Sequence, residues 1–90
     1  MSYKVIYLPR ASDRLRRMEM SEARRIMSKI NWLSENLDTV APEPLAGEFK
    51  GFFKLRIGNY RALYSVSQSE QLEYIAIHFI GHRRDIYKQK

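Results

Sequence analysis

The chain contains no cysteine, so it can build neither a disulfide framework nor a thiolate metal site. No apolar run approaches the roughly 20 residues that span a bilayer. The opening Met-Ser-Tyr-Lys-Val-Ile-Tyr-Leu-Pro-Arg lacks the longer apolar stretch of a secretory leader. No membrane partner is expected, and the cytoplasm is the expected location. There is no Gly-x-x-x-x-Gly-Lys phosphate loop and no Gly-x-Ser-x-Gly nucleophile elbow. Internal repeats and low-complexity segments are also missing. Acidic side chains are in short supply, with ten Asp and Glu against sixteen Lys and Arg and a formal net charge of +6. That imbalance suits a polyanionic partner, either nucleic acid or a strongly acidic protein. Solubility alone is the plainer reading of the same charge.

Ninety residues, 44% of them hydrophobic, suffice for one modest core, so one domain is expected over residues 1–90. Tyr3 to Leu8 is β-branched and aromatic, stops at Pro9, and reads as a first strand. Ser12-Asp13 can open a short helix, with Leu15 and Met18 inside and Arg14, Arg16 and Arg17 outside. Ser21 is the expected N-cap of a stronger helix, with Glu22 in its electropositive first turn. Ala23, Ile26, Met27, Ile30, Leu33 and Leu37 recur at the spacing of one buried helical face. That helix is expected to end near Leu37-Asp38, ahead of Pro42 and Pro44. Residues 38–48 read as a linker. From Phe49 the period becomes two, and Gly58-Asn59 marks a hairpin between a strand through Phe53, Leu55 and Ile57 and one from Tyr60 to Val66. Leu72 to Ile80 is apolar on both faces and reads as a central strand closed by Gly81. The order β-α-α-β-β-β predicts an α+β fold: an N-terminal strand, a helical hairpin, then a three-stranded antiparallel meander, with the helices on one face of the sheet.

The hairpin carries the first chemical argument. A two-residue loop sets Ile57 opposite Tyr60, Arg56 opposite Arg61 and Lys54 opposite Leu63, and side chains alternate between faces. Phe53, Leu55, Ile57, Tyr60, Ala62 and Tyr64 then form an apolar inner face, while Lys54, Arg56 and Arg61 share the outer one. Directly opposed like charges weaken a sheet. Acids expected nearby are few: Glu48, Glu70, Glu73 and Asp85 in the second half of the chain. The cluster therefore points to a bound phosphate, the plainer alternative being a solvated face of splayed side chains. Like charges around Lys54 would also favour its neutral, basic form. The tail Gly81-His82-Arg83-Arg84-Asp85-Ile86-Tyr87 adds imidazole, guanidinium and phenol. Cleavage of RNA through its own 2′-hydroxyl needs a base for that proton, cations for the phosphorane charge and an acid for the leaving 5′-oxygen. Lysine, arginine, histidine and tyrosine can fill those roles. Metal chemistry is not expected, because His78 and His82 fall in a strand running into a loop and no carboxylate or thiol completes a ligand set. No cofactor is expected.

Taken together, Lys54-Leu55-Arg56, Gly58-Asn59-Tyr60-Arg61-Ala62-Leu63-Tyr64 and Gly81-His82-Arg83-Arg84-Asp85-Ile86-Tyr87 resemble the RelE/ParE toxin superfamily, in particular its RelE-like mRNA interferase branch. The likeness also takes in the opening strand, the Ser-Asp-Arg-Leu helix start, the long second helix and Leu45-Ala46-Gly47. It implies two helices on an antiparallel sheet with the active residues on an exposed concave face. It implies an endoribonuclease that cuts messenger RNA in the ribosomal A site and is silenced by a cognate acidic, RelB-like antitoxin. The toxin would be a monomer alone and part of a hetero-oligomer with that antitoxin. By position, the resemblance assigns Lys54 as base or phosphate ligand and Arg61 to the scissile phosphate. Arg83 would serve as charge stabiliser or acid, Tyr87 would stack on or orient the substrate, and His82 is a second candidate base. Lys50, Arg56, Arg84 and Lys88 complete the expected RNA- and phosphate-binding set. One departure stands out: where some members carry a second lysine, this chain has Phe52, so base duty would fall on Lys54 or His82, or Lys50 would substitute from a neighbouring position. The resemblance also admits two other functions, a ParE-like poison of DNA gyrase and an inactive module that only binds an antitoxin.

Overall fold

A computed structural model describes residues 3–69 and 71–88. Strand β1 (Lys4–Tyr7) leads directly into helix α1 (Pro9–Arg17) and then α2 (Met20–Asn36). A two-residue strand β2 (Glu43–Pro44) follows, then β3 (Phe53–Ile57), β4 (Tyr60–Gln68) and β5 (Glu73–His82). Single 3-10 turns occupy Gly47–Phe49 and Ile86–Lys88. The sheet has the order β1-β5-β4-β3-β2. Pairing is antiparallel throughout except for β1, which lies parallel to β5 with Val5 opposite Ile75 and Tyr7 opposite Ile77. The meander is thus as expected, and β5 is central because β1 returns to its far side. The fold is α+β, two helices against a five-stranded sheet.

Several boundaries differ from the sequence reading, each for a local reason. Helix α1 starts at Pro9, not at Ser12-Asp13. Proline's fixed φ suits the first helical turn, where its missing N–H has no partner to lose. Helix α2 starts one residue before Ser21, with Glu19 at the cap position, and the Ser21 hydroxyl instead donates to the Glu19 carboxylate at 2.8 Å. The 38–48 linker contains β2, which the prolines had concealed. Pro44 is tolerated because β2 is an edge strand.

The core lies between the helices and the inner sheet face. Ile26, Ile30 and Leu33 of α2, Leu37 just after it and Ala11 of α1 pack on Leu55, Ile57, Ala62, Tyr64, Ile75, Ile77 and Ile80. Met27 is not part of it: at 41% exposure it sits beside the buried stripe rather than on it. Between the Leu63–Phe79 and Tyr64–Ile77 pairs the register slips, leaving His78 as an extra residue in β5. This bulge reverses the alternation of β5. Ile75 and Ile77 face the core on one side of it and Ile80 on the other, while both His78 and Phe79 turn to the outer face. The outer face is also partly covered. Leu63 and Ile86 are fully buried outside the main core, because the C-terminal 3-10 turn folds back over β5. Leu63, expected among the outer cations, is therefore a packing residue.

Candidate functional site: a cationic sheet end beside an aromatic row

The Gly58-Asn59 turn organises the site. Gly58 takes φ 58° and Asn59 stays at negative φ, the pattern of a II′ turn, whose twist matches the flanking strands. This tight turn holds the register Arg56–Arg61, Leu55–Ala62 and Lys54–Leu63. The two arginines are thus directly opposed on the outer face, as alternation requires. The Arg61 guanidinium donates from Nη1 to the carbonyls of Gly58 at 2.9 Å and Tyr60 at 2.8 Å. Backbone oxygens hold it in place without cancelling its charge. The C-terminal segment joins the same end of the sheet: the Arg83 amide donates to the Asn59 carbonyl at 2.8 Å. A third guanidinium, that of Arg25 from α2, lies against Gly58, where a β-carbon would stand 2.7 Å from its Nη2. Arg25, Arg56, Arg61 and the Arg83 backbone therefore gather around one turn.

The expectation that these cations repel one another without relief is corrected by β2. Its register sets Glu43 opposite Lys54. One Glu43 carboxylate oxygen lies 3.5 Å from Lys54 Nζ and the other 3.5 Å from Arg56 Nε. The Lys54 ammonium thus has a carboxylate within ion-pair distance. Arg61 shares neither contact. Glu43 lies outside the second half of the chain, where the sequence places the nearby acids, and arrives on a strand that the proline-bearing linker conceals. Its charge also acts inward: the Tyr64 phenol is pushed up to about 12, first by burial and then by the Glu43 carboxylate.

The remaining candidates are dispersed. His82 pairs with Tyr60, their rings 5.9 Å apart, and Tyr60 packs on the core. Pleating therefore puts His82 on the face opposite Arg61. Its Nδ1 accepts the Arg84 amide at 3.2 Å. Arg83 and Arg84 are exposed, and Lys88 pairs with Asp85 at 3.7 Å. Lys50 is exposed in the turn after the first 3-10 segment. Tyr87, 42% exposed, meets Phe49 edge-on at 5.7 Å. Phe52, at the position where the resemblance leads one to expect a second lysine, is half-buried with its ring 4.5 Å from that of His78.

An unanticipated row of rings runs across the outer face. Tyr87 touches Phe49, Phe49 meets Phe79 at 6.3 Å, Phe79 meets Phe52 at 6.1 Å, and His78 closes the row. Ser65 Oγ hydrogen-bonds His78 Nε2 at 2.8 Å, and burial lowers the imidazole's pKa. The Arg10 guanidinium lies 5.7 Å from the Phe79 ring centre. Strict alternation along β5 would have sent Phe79 inward, so only the bulge reveals this row. Glu70 lies outside the described residues. Among those described, no three His, Cys, Asp or Glu side chains gather as a metal-ligand set, and no helix is long and apolar enough to cross a membrane.

Comparisons with known proteins agree with this architecture. The chain resembles the toxin–antitoxin complex RelBE2 from Mycobacterium tuberculosis, with a TM-score of 0.78 and 26% identity over 94% of this chain and 95% of that one. It resembles the YoeB/ParE toxin from Agrobacterium tumefaciens with a TM-score of 0.70, 21% identity, and coverage of 88% and 96%. The archaeal RelE–RelB complex from Pyrococcus horikoshii OT3 gives 0.67, 22%, and coverage of 92% and 97%. No curated protein matches the chain by sequence. Residues 5–87 match the model of the ParE toxin of type II toxin–antitoxin systems, parDE. The chain thus belongs to the ParE toxin family, and is a type II toxin of the RelE/ParE superfamily.

Proposed function

We propose that this toxin is an endoribonuclease that cleaves messenger RNA in the ribosomal A site, and that a cognate acidic antitoxin silences it. The observation that carries the reading is Arg61: a guanidinium held by two backbone carbonyls, opposite Arg56 and at the same turn as the Arg83 segment. Cations fixed in advance, where charge develops on a phosphorane, are the largest single contribution such a site can make. The RNA 2′-oxygen attacks the adjacent phosphorus, the bond to the 5′-oxygen breaks, and a 2′,3′-cyclic phosphate and a free 5′-hydroxyl result. The 2′-proton passes to His82, or to Lys54 in its unprotonated amine form. Lys54 is the one on the same face as Arg61, and it reaches phosphate by exchanging Glu43 for the ligand. Arg61 and Arg83 stabilise the phosphorane, Arg83 or Tyr87 protonates the leaving oxygen, and Tyr87 stacks on a base. Lys50, Arg56, Arg84 and Lys88 bind flanking phosphates. The toxin–antitoxin complexes among the structural relatives support the antitoxin as partner.

Gyrase poisoning is the second reading, favoured by the ParE family match over residues 5–87. One pair of assays separates the two. Primer extension on a translated message should show new stops with the wild-type protein and none with Arg61→Ala, while gyrase supercoiling is unaffected. Intact message together with blocked supercoiling would reverse the assignment.

A further inference from the structure

The bulge that turns His78 and Phe79 outward lies just where β1 ends and α1 begins, and it leaves a cleft of about 400 Å³ lined by Leu8, Pro9, Arg10, His78 and Phe79. The volume falls in the range of small-ligand sites, which are mostly apolar with a few convergent polar groups. Here the apolar part is Leu8, Pro9 and the Phe79 ring. The polar part is the Arg10 guanidinium, 5.7 Å from that ring, and the imidazole of His78. Ser65 holds His78 Nε2 at 2.8 Å and Phe52 supports the ring at 4.5 Å, so Nδ1 is the ring nitrogen left for a ligand. The rings are fixed before anything binds, which limits the ordering cost of binding.

We propose that this cleft is a second RNA subsite, in which one unpaired nucleobase stacks on Phe79 beside the Arg10 guanidinium and meets His78 with its edge. The inference rests on the RNA-cleaving reading and extends it to a nucleotide away from the scissile bond. Two observations favour RNA over an acidic peptide. Aromatic faces and guanidinium planes are the standard partners of splayed single-stranded bases. The row Phe79, Phe49, Tyr87 links the cleft ring by ring to the tyrosine of the proposed active site. Burial holds the His78 imidazole neutral near neutral pH, so Nδ1 can exchange a hydrogen bond with a base edge instead of repelling a protonated one.

The test is fluorescence anisotropy with a short, labelled single-stranded RNA, 2′-O-methylated so that it binds without being cut. Arg10→Gln and Phe79→Leu are each expected to weaken binding about tenfold, the usual scale of one base stack. Arg10→Gln is expected to reduce the slope of log affinity against log salt by about one, and Phe79→Leu to leave that slope unchanged. Arg17→Gln, on an arginine paired with Asp13 at 3.2 Å on the same helix, serves as the charge control and is expected to bind like wild type. Should Phe79→Leu fold poorly, Arg10→Gln decides alone, since Arg10 is exposed. Wild-type binding by Arg10→Gln, with cleavage still abolished in Arg61→Ala, overturns the subsite and leaves the nuclease reading standing. Failure of the wild-type protein to bind the RNA, with an acidic peptide shifting the Phe79 and His78 NMR signals instead, overturns the subsite and leaves the nuclease reading to the primer-extension assay.

Discussion

Arg61 and Lys54 show how differently two cations on one sheet face can be placed. Arg61 is held by carbonyl oxygens, so its position is fixed while its charge remains available to a phosphate. Lys54, with its side chain 19% exposed, shares the Glu43 carboxylate with Arg56. Arg61→Ala is therefore expected to abolish cleavage of translated messages while the thermal melt stays close to wild type, because the side chain lies on the outer face and bonds backbone carbonyls there. A melt lowered as far as that of a core variant would mean the loss of activity comes from unfolding. Glu43→Gln tests the other half. A partly exposed ion pair contributes at most about 1 kcal/mol to stability, so the fold should tolerate the change. Freed of their acid, Lys54 and Arg56 should bind RNA several-fold more tightly, with a steeper salt dependence. Unchanged affinity in a salt titration would show that neither cation contacts phosphate.

At the scale of elements, the outer face depends on two small features. Strand β2 is two residues long, yet its register delivers Glu43 to Lys54. The C-terminal 3-10 turn is three residues long, yet the burial of Ile86 seats Tyr87 against Phe49. Ile86→Ala is expected to cost about 2–5 kcal/mol, as buried large-to-small changes do. It should also release Tyr87 and lower turnover more than a core change of equal stability cost. Leu55→Ala, on the inner face of β3, is the matched comparison: a similar 2–5 kcal/mol in denaturant titrations, with activity falling only in step with the folded fraction. Equal specific activity in the two variants would argue that the C-terminal turn has no part in the site.

For the whole molecule, titration behaviour follows from what the core and the bulge bury. The Tyr64 phenol titrates at about 12 in the folded chain against 10.0 when free. The folded protein keeps a proton that the unfolded chain gives up, so this contribution is intact below pH 10 and is lost as pH rises towards 12. Tyr7, raised by burial in the same direction, adds to that loss. His78 acts at the other end. Its folded pKa lies below 6.5, so stability is full above that value, and as pH falls beneath it the unfolded chain takes the proton first. Urea titrations across pH should show a stability plateau bounded on both sides. Tyr64→Phe should flatten the alkaline limb and His78→Gln the acid limb. An alkaline limb identical in Tyr64→Phe would place the responsible group elsewhere.

The local pattern alone determined the helices, the meander and the hairpin register. Helical spacing from Ile26 to Leu37 and alternation around Gly58-Asn59 are set by chain geometry within a few residues, so the opposition of Arg56 to Arg61 is legible in the sequence itself. Tertiary structure decided the rest. Glu43 reaches Lys54 through pairing between segments that the sequence separates by a proline-bearing linker. His82 falls on the opposite face from Arg61 because β5 inserts beside β4 in a particular register. The aromatic row exists because a single extra residue at His78 reverses the alternation of a strand. Each of these depends on which distant backbone a strand pairs with, and that choice is made by the burial of the whole core rather than by neighbours in the chain.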